Sequence, residues 1–244
     1  MRIERSGELA VLHLTAGKAN AINDAFLSSL SGLLDGLGDA RAAVITGSGA
    51  AFSAGLDLPA LIGLDRAGIA AFMRRFSDVM LRVFELPIPL VAAINGHAIA
   101  GGCVLALQAD VRVMSQGKIG LNEAQLGIGL PAVVLETLRC QVPASSLVPI
   151  ALEGRLFTPD EALRLGLIDA VEADPVASAL ARARALALPA AGAVKRAIRR
   201  PVSERIRAGD DASAWLEGWF STEAQARLRV AVARLSRKPP PAAT

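Results

Sequence analysis

Cysteine is scarce in this sequence: its 244 residues include only Cys103 and Cys140. Two cysteines cannot supply the framework of disulfides that small secreted domains depend on, and their spacing matches no common metal site. So low a cysteine content fits a reducing compartment. We therefore expect a cytoplasmic location and no bound metal.

Long basic runs and aromatic side chains are also scarce. Aromatic residues make up 4% of the chain, and the formal net charge is only +3. The most basic segment, KRAIRR at 195–200, contains no aromatic residue. An arginine-bearing helix face is usually solvated or ion-paired, whereas nucleic-acid surfaces interleave basic and aromatic residues. We expect no nucleic-acid partner, although the mildly basic balance is compatible with a phosphate-bearing ligand.

No uninterrupted apolar run is long enough to suggest a membrane span. The most apolar stretch, residues 86–110, is broken by two prolines, Asn95, His97 and a pair of adjacent glycines. It therefore predicts a buried strand, a turn and a helix rather than a spanning helix of about 20 residues. The first ten residues lack the apolar centre of a signal peptide, so we expect neither a leader nor a membrane partner.

The residues that are present predict a large α/β domain. Apolar residues make up 52% of the chain, which is enough for a substantial core. Short β-rich runs occur at 9–15, 42–46, 89–95 and 111–114. Helical patterns lie between them, the first beginning at Asn23 or Asp24. Strands that alternate with helices favour mainly parallel pairing.

After about residue 143 the pattern becomes helical. In the segment 157–171, Thr158 is an N-cap, Pro159 takes the first helical position and Glu161 completes a capping box. Gly166 is placed to end that helix.

Further amphipathic helices are predicted at 177–188 and 212–236. We divide the chain into a core at 1–185, a C-terminal helical region at 186–237 and a disordered tail at 238–244.

Two glycine-containing turns follow predicted strands and suit an anionic ligand. The first is FSAGLDL at 52–58; the second, INGHAIAGGC at 94–103, opens a helix with Gly101 and Gly102. Backbone N–H groups at a helix N-terminus lack partners and lie at the positive end of its dipole. Two converging turns would form an oxyanion hole. A tight turn and close helix packing explain the glycines equally well, so composition leaves both alternatives open.

Three polar residues in or near the second turn have simpler structural interpretations. His97 has no Ser, Cys or Asp motif to work with, which favours a structural histidine. Cys103 is more typical of a small buried thiol than of a nucleophile. Asp110 most simply ends a helix and pairs locally, with Arg112 two residues away.

Glu123 stands in GLNEAQLG at 120–127, a segment whose other residues are apolar, amide or glycine. A carboxylate in apolar surroundings has a raised pKa and can take and return a proton near neutral pH. The alternative is that Asn122 or Glu123 caps a short helix. The spacing alone leaves both open.

Five segments, in order along the chain, resemble the enoyl-CoA hydratase/isomerase (crotonase) superfamily. They are GKANAIN at 17–23, VITGSGAAFSAGLDL at 44–58, IPLVAAINGHAIAGGCVLALQADVRV at 88–113, KIGLNEAQLGIGLP at 118–131 and FTPDEALRLGLIDAV at 157–171. The resemblance implies an α/β fold with a core spiral of β-β-α units and a C-terminal helical region that forms trimers, often paired into hexamers. It also implies a coenzyme A thioester substrate, as in fatty-acid metabolism, with no separate cofactor.

The resemblance also assigns site residues. The backbone N–H groups of Leu56 and Gly101 would hold the thioester carbonyl oxygen, and Glu123 would be the catalytic acid and base. The residues that the resemblance places along coenzyme A are Lys18, Ala19, Ala21, Ala54 and Asp57.

One position departs from the hydratase pattern. Hydratases of this family use two glutamates; Glu123 matches the second, and the first falls on Val104. One carboxylate is enough to move a proton from C2 to C4 of a 3-enoyl thioester, and IGLNEAQLGI resembles the Δ3,Δ2-enoyl-CoA isomerase branch. We therefore favour isomerisation over hydration by an incomplete glutamate pair and over a non-catalytic acyl-CoA binder.

Two further expectations concern residues near this site. Glu136 is a conceivable second acid, although an ion-paired role fits it better. Phe72, Met73 and Phe76 are candidates for lining the acyl pocket, although a helical stripe of such residues is more often core.

Overall fold

The computed structural model of the protein describes residues 1–17, 19–209 and 212–235. It has the predicted α/β architecture, with two sheets and helices around them. The strands are β1 Arg2–Ser6, β2 Leu9–His13, β3 Ala42–Thr46, β4 Ala51–Ser53, β5 Leu90–Ile94, β6 His97–Ile99, β7 Val111–Met114, β8 Ile119–Gly120 and β9 Ala170–Val171. The helices are α1 Asp24–Asp35, α2 Leu58–Leu61, α3 Arg66–Phe84, α4 Gly101–Leu107, α5 Ala132–Gln141, α6 Pro159–Arg164, α7 Pro175–Leu186, α8 Ala191–Ala208, α9 Ser213–Trp219 and α10 Thr222–Leu235.

From β3 onward, successive strands enter the two sheets alternately, which produces the expected β-β-α spiral. The larger sheet has the order β1-β2-β3-β5-β7-β9, and the smaller has the order β4-β6-β8. The strand pairs β3–β4, β5–β6 and β7–β8 each place one strand in each sheet before the chain continues into a helix. Pairing is parallel except between β1 and β2, as the alternation of strands and helices predicted.

The helix-start signals in the sequence are confirmed. Asn23, rather than Asp24, caps α1 by accepting the Phe26 N–H. Thr158 and Glu161 form the predicted capping box of α6, and Gly166, at φ +70°, follows its end.

The C-terminal helices differ in one respect from the prediction. The helix predicted over 212–236 is broken into α9 and α10. The hydroxyl of Ser221 accepts the Ala224 N–H at 3.1 Å and so starts a second helix.

The core lies on both faces of the larger sheet. On one face, alternate residues such as Val44 and Val91 pack against Ala179 and Ala183 of α7. The other face joins the small sheet and the remaining helices in a larger apolar cluster. Across the described residues, no helix is both long and apolar enough to cross a bilayer.

Asp110 does not pair with Arg112, so the predicted local pair is wrong. Its carboxylate accepts a hydrogen bond from Lys195 of α8 at 2.7 Å and forms an ion pair with Arg199 of the same helix, also at 2.7 Å. Arg112 pairs instead with Asp169 at 3.0 Å. Each buried cation meets a carboxylate from a distant segment because burial leaves no water to solvate it. Burial also lowers the pKa of Lys195 to about 8.

Lys195 and Arg199 thus fix the basic segment 195–200 to the core. The domain boundary at residue 185 falls inside α7 and stays a prediction, and the predicted tail at 238–244 lies outside the described residues.

Candidate active site

The first glycine-containing turn leaves one backbone donor free at the end of β4. Gly55 has φ +86°, in the region that favours glycine. The neighbouring backbone is held on both sides, because Ile22 donates to the Gly55 carbonyl at 2.8 Å and Asp57 donates to the Ile22 carbonyl at 3.0 Å. The N–H of Leu56, between them, has no acceptor among the described residues.

The second turn leaves another free donor at the start of α4. Ala100 precedes the helix with φ +49° and ψ −117°, a conformation that costs a non-glycine residue about 1–3 kcal/mol. The Gly101 N–H that follows has no acceptor in the described part of the chain. Gly102 is required by packing, since a Cβ there would lie 2.2 Å from the Ser53 carbonyl oxygen. The packing alternative therefore holds for Gly102, and the anion-binding alternative at Gly101 stays a prediction.

The two turns are in contact. A Cβ on Gly55 would lie 3.1 Å from the Gly101 nitrogen, and a Cβ on Gly101 would lie 3.4 Å from Leu56 Cδ2. Leu56 and Gly101 both line one cavity of about 680 Å³. Two unpaired N–H groups at one cavity are the arrangement expected for holding a developing oxyanion.

The cavity is lined mostly by apolar side chains. Its lining residues are Ala54, Leu56, Leu58, Met73, Phe76, Ile99, Ala100, Gly101, Val104, Asn122, Glu123, Gln125, Leu126, Ile128, Pro131, Val134, Trp215, Trp219, Ala226, Arg227, Val230, Ala231, Arg234 and Leu235. Met73 and Phe76 are there as expected, whereas Phe72 belongs to the core. A concave apolar site with few polar groups is typical of small-molecule binding.

Glu123 is held at this cavity by its backbone and not by its side chain. The residue precedes a short 3₁₀ helix, Ala124–Leu126, and its carbonyl accepts the N–H groups of Leu126 and Ile128. The side chain makes no capping hydrogen bond, so the capping alternative is wrong. Its Oε2 atom is fully buried, with no partner among the described residues. Burial raises the pKa of Glu123 to about 7, which suits a group that must both accept and donate a proton.

Val104 lines the same cavity from the first turn of α4 and is 1% exposed. Glu123 is the only carboxylate among the described residues that line the cavity. Glu136, the other acid considered, is absent from that lining and pairs with Arg205 at 2.6 Å and Arg139 at 2.8 Å. The hydrogen bond from Arg205, more than any other contact, lowers the Glu136 pKa.

The residues expected to line coenzyme A lie along the segment before α1 and the turn after β4. The Ala54 N–H donates to the Ala19 carbonyl at 2.9 Å, and Ala21 follows two residues later. Asp57 lies beside them, capping α2 and accepting a hydrogen bond from Asn23 at 2.9 Å. Lys18 lies outside the described residues.

Asn20 organises this region; the resemblance included it in the segment 18–21 along coenzyme A, but its structural role was not predicted. It is buried at φ +49°, its amide donates to the carbonyls of Ala51 and Phe52, and its Oδ1 accepts the Ala16 N–H at 2.8 Å. The side chain thus ties the segment before α1 to β4. The available signal was an asparagine in a turn, since asparagine tolerates positive φ better than most residues.

The remaining polar candidates are structural. His97 is exposed, and its Nδ1 accepts the Lys118 N–H at 3.2 Å. Cys103 is fully buried, and burial, followed by the charge of Glu123, raises the pKa of its thiol. The described residues contain no group of three or more His, Cys, Asp or Glu side chains placed to hold a metal.

The sequence interpretation missed two cavity residues, Trp215 and Trp219. Their rings stack with centroids 5.2 Å apart, and both line the cavity. The i, i+4 spacing of two tryptophans was the available signal, because it places both rings on one helix face.

Comparisons with known proteins identify the family of this chain. The family model described as Enoyl-CoA hydratase/isomerase matches residues 4–226. A putative enoyl-CoA hydratase of Thermus thermophilus is 36% identical over 189 residues, 74% of this chain and 74% of that protein. Human mitochondrial enoyl-CoA delta isomerase 1 is 39% identical over 123 residues, which span 49% of this chain and 41% of the human protein. The solved structure of human mitochondrial delta3-delta2-enoyl-CoA isomerase superposes with a TM-score of 0.88 at 31% identity, covering 96% of this chain and 97% of that chain.

Proposed function

Because the chain belongs to the enoyl-CoA hydratase/isomerase family, we propose that it shifts the double bond of a 3-enoyl-CoA thioester to the 2-position. The single observation that carries the proposal is the lone carboxylate: Glu123 has no acidic companion among the described cavity residues, and Val104 stands where the resemblance expects one.

Proton removal is the first step of the proposed reaction. The thioester carbonyl oxygen accepts hydrogen bonds from the N–H groups of Leu56 and Gly101, which raises the acidity of the C2 protons. Glu123 removes one of them, and the electron pair of the broken C–H bond becomes part of a dienolate whose charge rests on the held oxygen. Removing one such donor typically reduces the rate by about 10²–10³.

Proton return completes the reaction. Glu123 delivers its proton to C4, the electrons of the former double bond form the new C–H bond, and the double bond now lies between C2 and C3. The carbonyl is restored and the carboxylate regenerated, so no water, metal or redox partner takes part. A pKa of about 7 balances the two transfers.

Hydration is the second candidate, and Asn122 is the observation in its favour. Asn122 lines the cavity next to Glu123, and its Oδ1 is buried with no partner in the described chain. A water molecule held between this amide oxygen and Glu123 would be placed to add to a 2-enoyl thioester. The relative from Thermus thermophilus is also named as a putative enoyl-CoA hydratase.

Turnover assays on matched 3-enoyl-CoA and 2-enoyl-CoA thioesters separate the two candidates. We expect fast conversion of the 3-enoyl substrate and slow uptake of labelled oxygen from water. Fast hydration with negligible isomerisation would reject the proposal in favour of the second candidate. Tight acyl-CoA binding without α-proton exchange would indicate a non-catalytic binder.

A matched pair of variants tests the role of the carboxylate. Glu123→Gln should abolish turnover while acyl-CoA binding changes little. Glu136→Gln, which alters an ion-paired acid outside the cavity, should keep turnover. Full activity in Glu123→Gln would remove this residue from the mechanism.

The remaining expectations are part of the same proposal. They are a coenzyme A path along Ala19, Ala21, Ala54, Asp57 and Lys18, a homotrimer or hexamer, and a cytoplasmic location. They also include independence from any cofactor or metal and the absence of nucleic-acid and membrane partners. Light scattering on the purified protein measures the oligomeric state directly.

A further inference from the structure

Two cavities of this molecule share a wall. The active-site cavity, of about 680 Å³, has a neighbour of about 340 Å³. Met73 of α3, Pro131 before α5 and Trp215 of α9 line both. These three side chains therefore separate the two spaces, and Trp215 is the largest of them.

Two of the three wall residues are buried and Pro131 is half-buried, whereas other lining residues reach solvent. Met73 is 4% exposed and Trp215 is 7% exposed, and Trp215 stacks on Trp219. Val230 and Leu235, which line the same cavity, are 52% and 65% exposed. The active-site cavity thus opens on the side of α10 and is closed by the wall at a buried end.

The second cavity has room because its lining is rich in small residues. Ala70, Ala132 and Gly209 contribute to it, together with the exposed Arg74. No residue named in the proposed reaction lines this space. It is a separate volume directly behind the wall.

We propose that Trp215 sets the longest acyl chain that the active site accepts. The inference rests on the proposed acyl-CoA substrate and adds its chemical class: thioesters with an apolar chain that ends against the tryptophan pair. Each methylene placed in the cavity should strengthen binding about four-fold, the equivalent of about 0.8 kcal/mol of apolar burial. The gain should stop when the chain end reaches Trp215.

The first experiment uses the unaltered protein and saturated acyl-CoA thioesters, which bind without reacting. Calorimetry across a series of chain lengths should show affinity rising and then levelling off or falling. Trp215 and Trp219 are the only tryptophans of the chain, so a bromine atom at the chain end should quench their fluorescence most at the limiting length. If no brominated acyl chain of any length quenches the tryptophan fluorescence, the proposal is overturned.

The second experiment removes the wall. Trp215→Ala should join the two cavities and move the limit to longer chains, with about a four-fold gain in affinity for each methylene added beyond the original limit. Trp215→Phe, the matched control, keeps most of the wall and should keep the limit. A folded Trp215→Ala protein with an unchanged limit would contradict the proposal.

A third variant covers the case in which Trp215→Ala does not fold. Met73→Ala removes another shared wall residue, smaller than Trp215, and should move the limit in the same direction. An unchanged chain-length limit in folded Met73→Ala would then contradict the proposal that the wall sets this limit. Because the ligands are unreactive, a failed isomerase assay leaves this test intact, whereas failure to bind any acyl-CoA rejects the proposed function itself.

Discussion

Gly55 and Gly101 approach so closely that a Cβ on Gly55 would lie 3.1 Å from the Gly101 nitrogen and 2.6 Å from the Ile99 carbonyl oxygen. The two free N–H groups of the site, on Leu56 and Gly101, owe their proximity to this contact. The positive φ of Gly55 points the backbone in the required direction. The proposed oxyanion hole therefore consists of backbone N–H groups, and an added side-chain atom at Gly55 would disturb it.

Gly55→Ala should lower kcat by about 10²–10³, as loss of one oxyanion donor does, because the added methyl group pushes the turn away from α4. The measurement is steady-state kinetics on a 3-enoyl-CoA thioester. Gly63→Ala is a suitable control, since a Cβ there meets no atom within 4 Å. Equal activity in the two variants would show that the contact does not matter for catalysis.

The rate should depend on pH through Glu123. The residue must be ionised to take the C2 proton, and burial raises its pKa to about 7. kcat/KM should therefore rise about ten-fold per pH unit well below pH 7 and level off above it. A pH–rate profile on one 3-enoyl-CoA substrate measures the midpoint, and a midpoint near the ordinary glutamate value of 4.5 would contradict the buried carboxylate.

The raised pKa of Glu123 also predicts that the free energy of unfolding falls as the pH rises, whereas the reaction rate increases. The folded state binds a proton at Glu123 up to about pH 7, while the unfolded chain releases it near pH 4.5. The contribution of this group to the free energy of unfolding is thus fully present below pH 4.5 and lost as the pH rises through 7. Its size is at most about 3 kcal/mol.

Urea denaturation of the protein and of Glu123→Gln at pH 5 and pH 8 measures this contribution. The variant should gain stability relative to the unaltered protein at pH 8, and the difference should shrink at pH 5. If the two proteins differ in stability by the same amount at both pH values, ionisation of Glu123 does not destabilise the folded state.

Val104→Glu should introduce hydration activity, because it supplies a second carboxylate to the cavity that the retained Glu123 also lines. The new acid lies at a buried position, so stability should fall by about 1–3 kcal/mol. Incorporation of labelled oxygen from a 2-enoyl-CoA assay detects the gain. Val104→Gln introduces a side chain of nearly the same size as glutamate but without the carboxylate, so this variant should remain inactive in hydration. Equal hydration by both variants would show that the size of the side chain, and not its charge, causes the effect.

The sequence was most informative where the physical cause is local. The capping box of Thr158 and Glu161 and the N-cap at Asn23 were predicted because each needs only residues three positions apart. The ordered motifs located the turns that carry Leu56 and Gly101. The capping alternative for Glu123 could be rejected only from the structure, since burial of Oε2 depends on how distant segments pack.

Long-range relationships were the part that could not be predicted. Trp215 and Glu123 line the same cavity although about 90 residues separate them in the sequence. Hydrophobic periodicity reports local structure and cannot predict such a contact. The strands of the smaller sheet are three residues or shorter, too short for a composition signal to define. Asp110 was assigned to its neighbour Arg112 because proximity in sequence was the only guide.

Asp110 therefore provides the last prediction. Its carboxylate accepts hydrogen bonds from Lys195 and from the Leu90 N–H, each at 2.7 Å, and pairs with Arg199; both cations are buried. Asp110→Ala would leave two buried cations without their carboxylate, so the free energy of unfolding should fall by about 3–5 kcal/mol.

Glu204→Ala is the matched control for that change, because it breaks the exposed pair between Arg200 and Glu204, at 3.8 Å, on the same helix. The control should lose less than about 1 kcal/mol. Chemical denaturation of both variants makes the comparison. Similar small losses in the two would mean that α8 is held to the core by apolar packing of residues such as Val202 and Ile206, and that the buried ion pairs contribute little to its position.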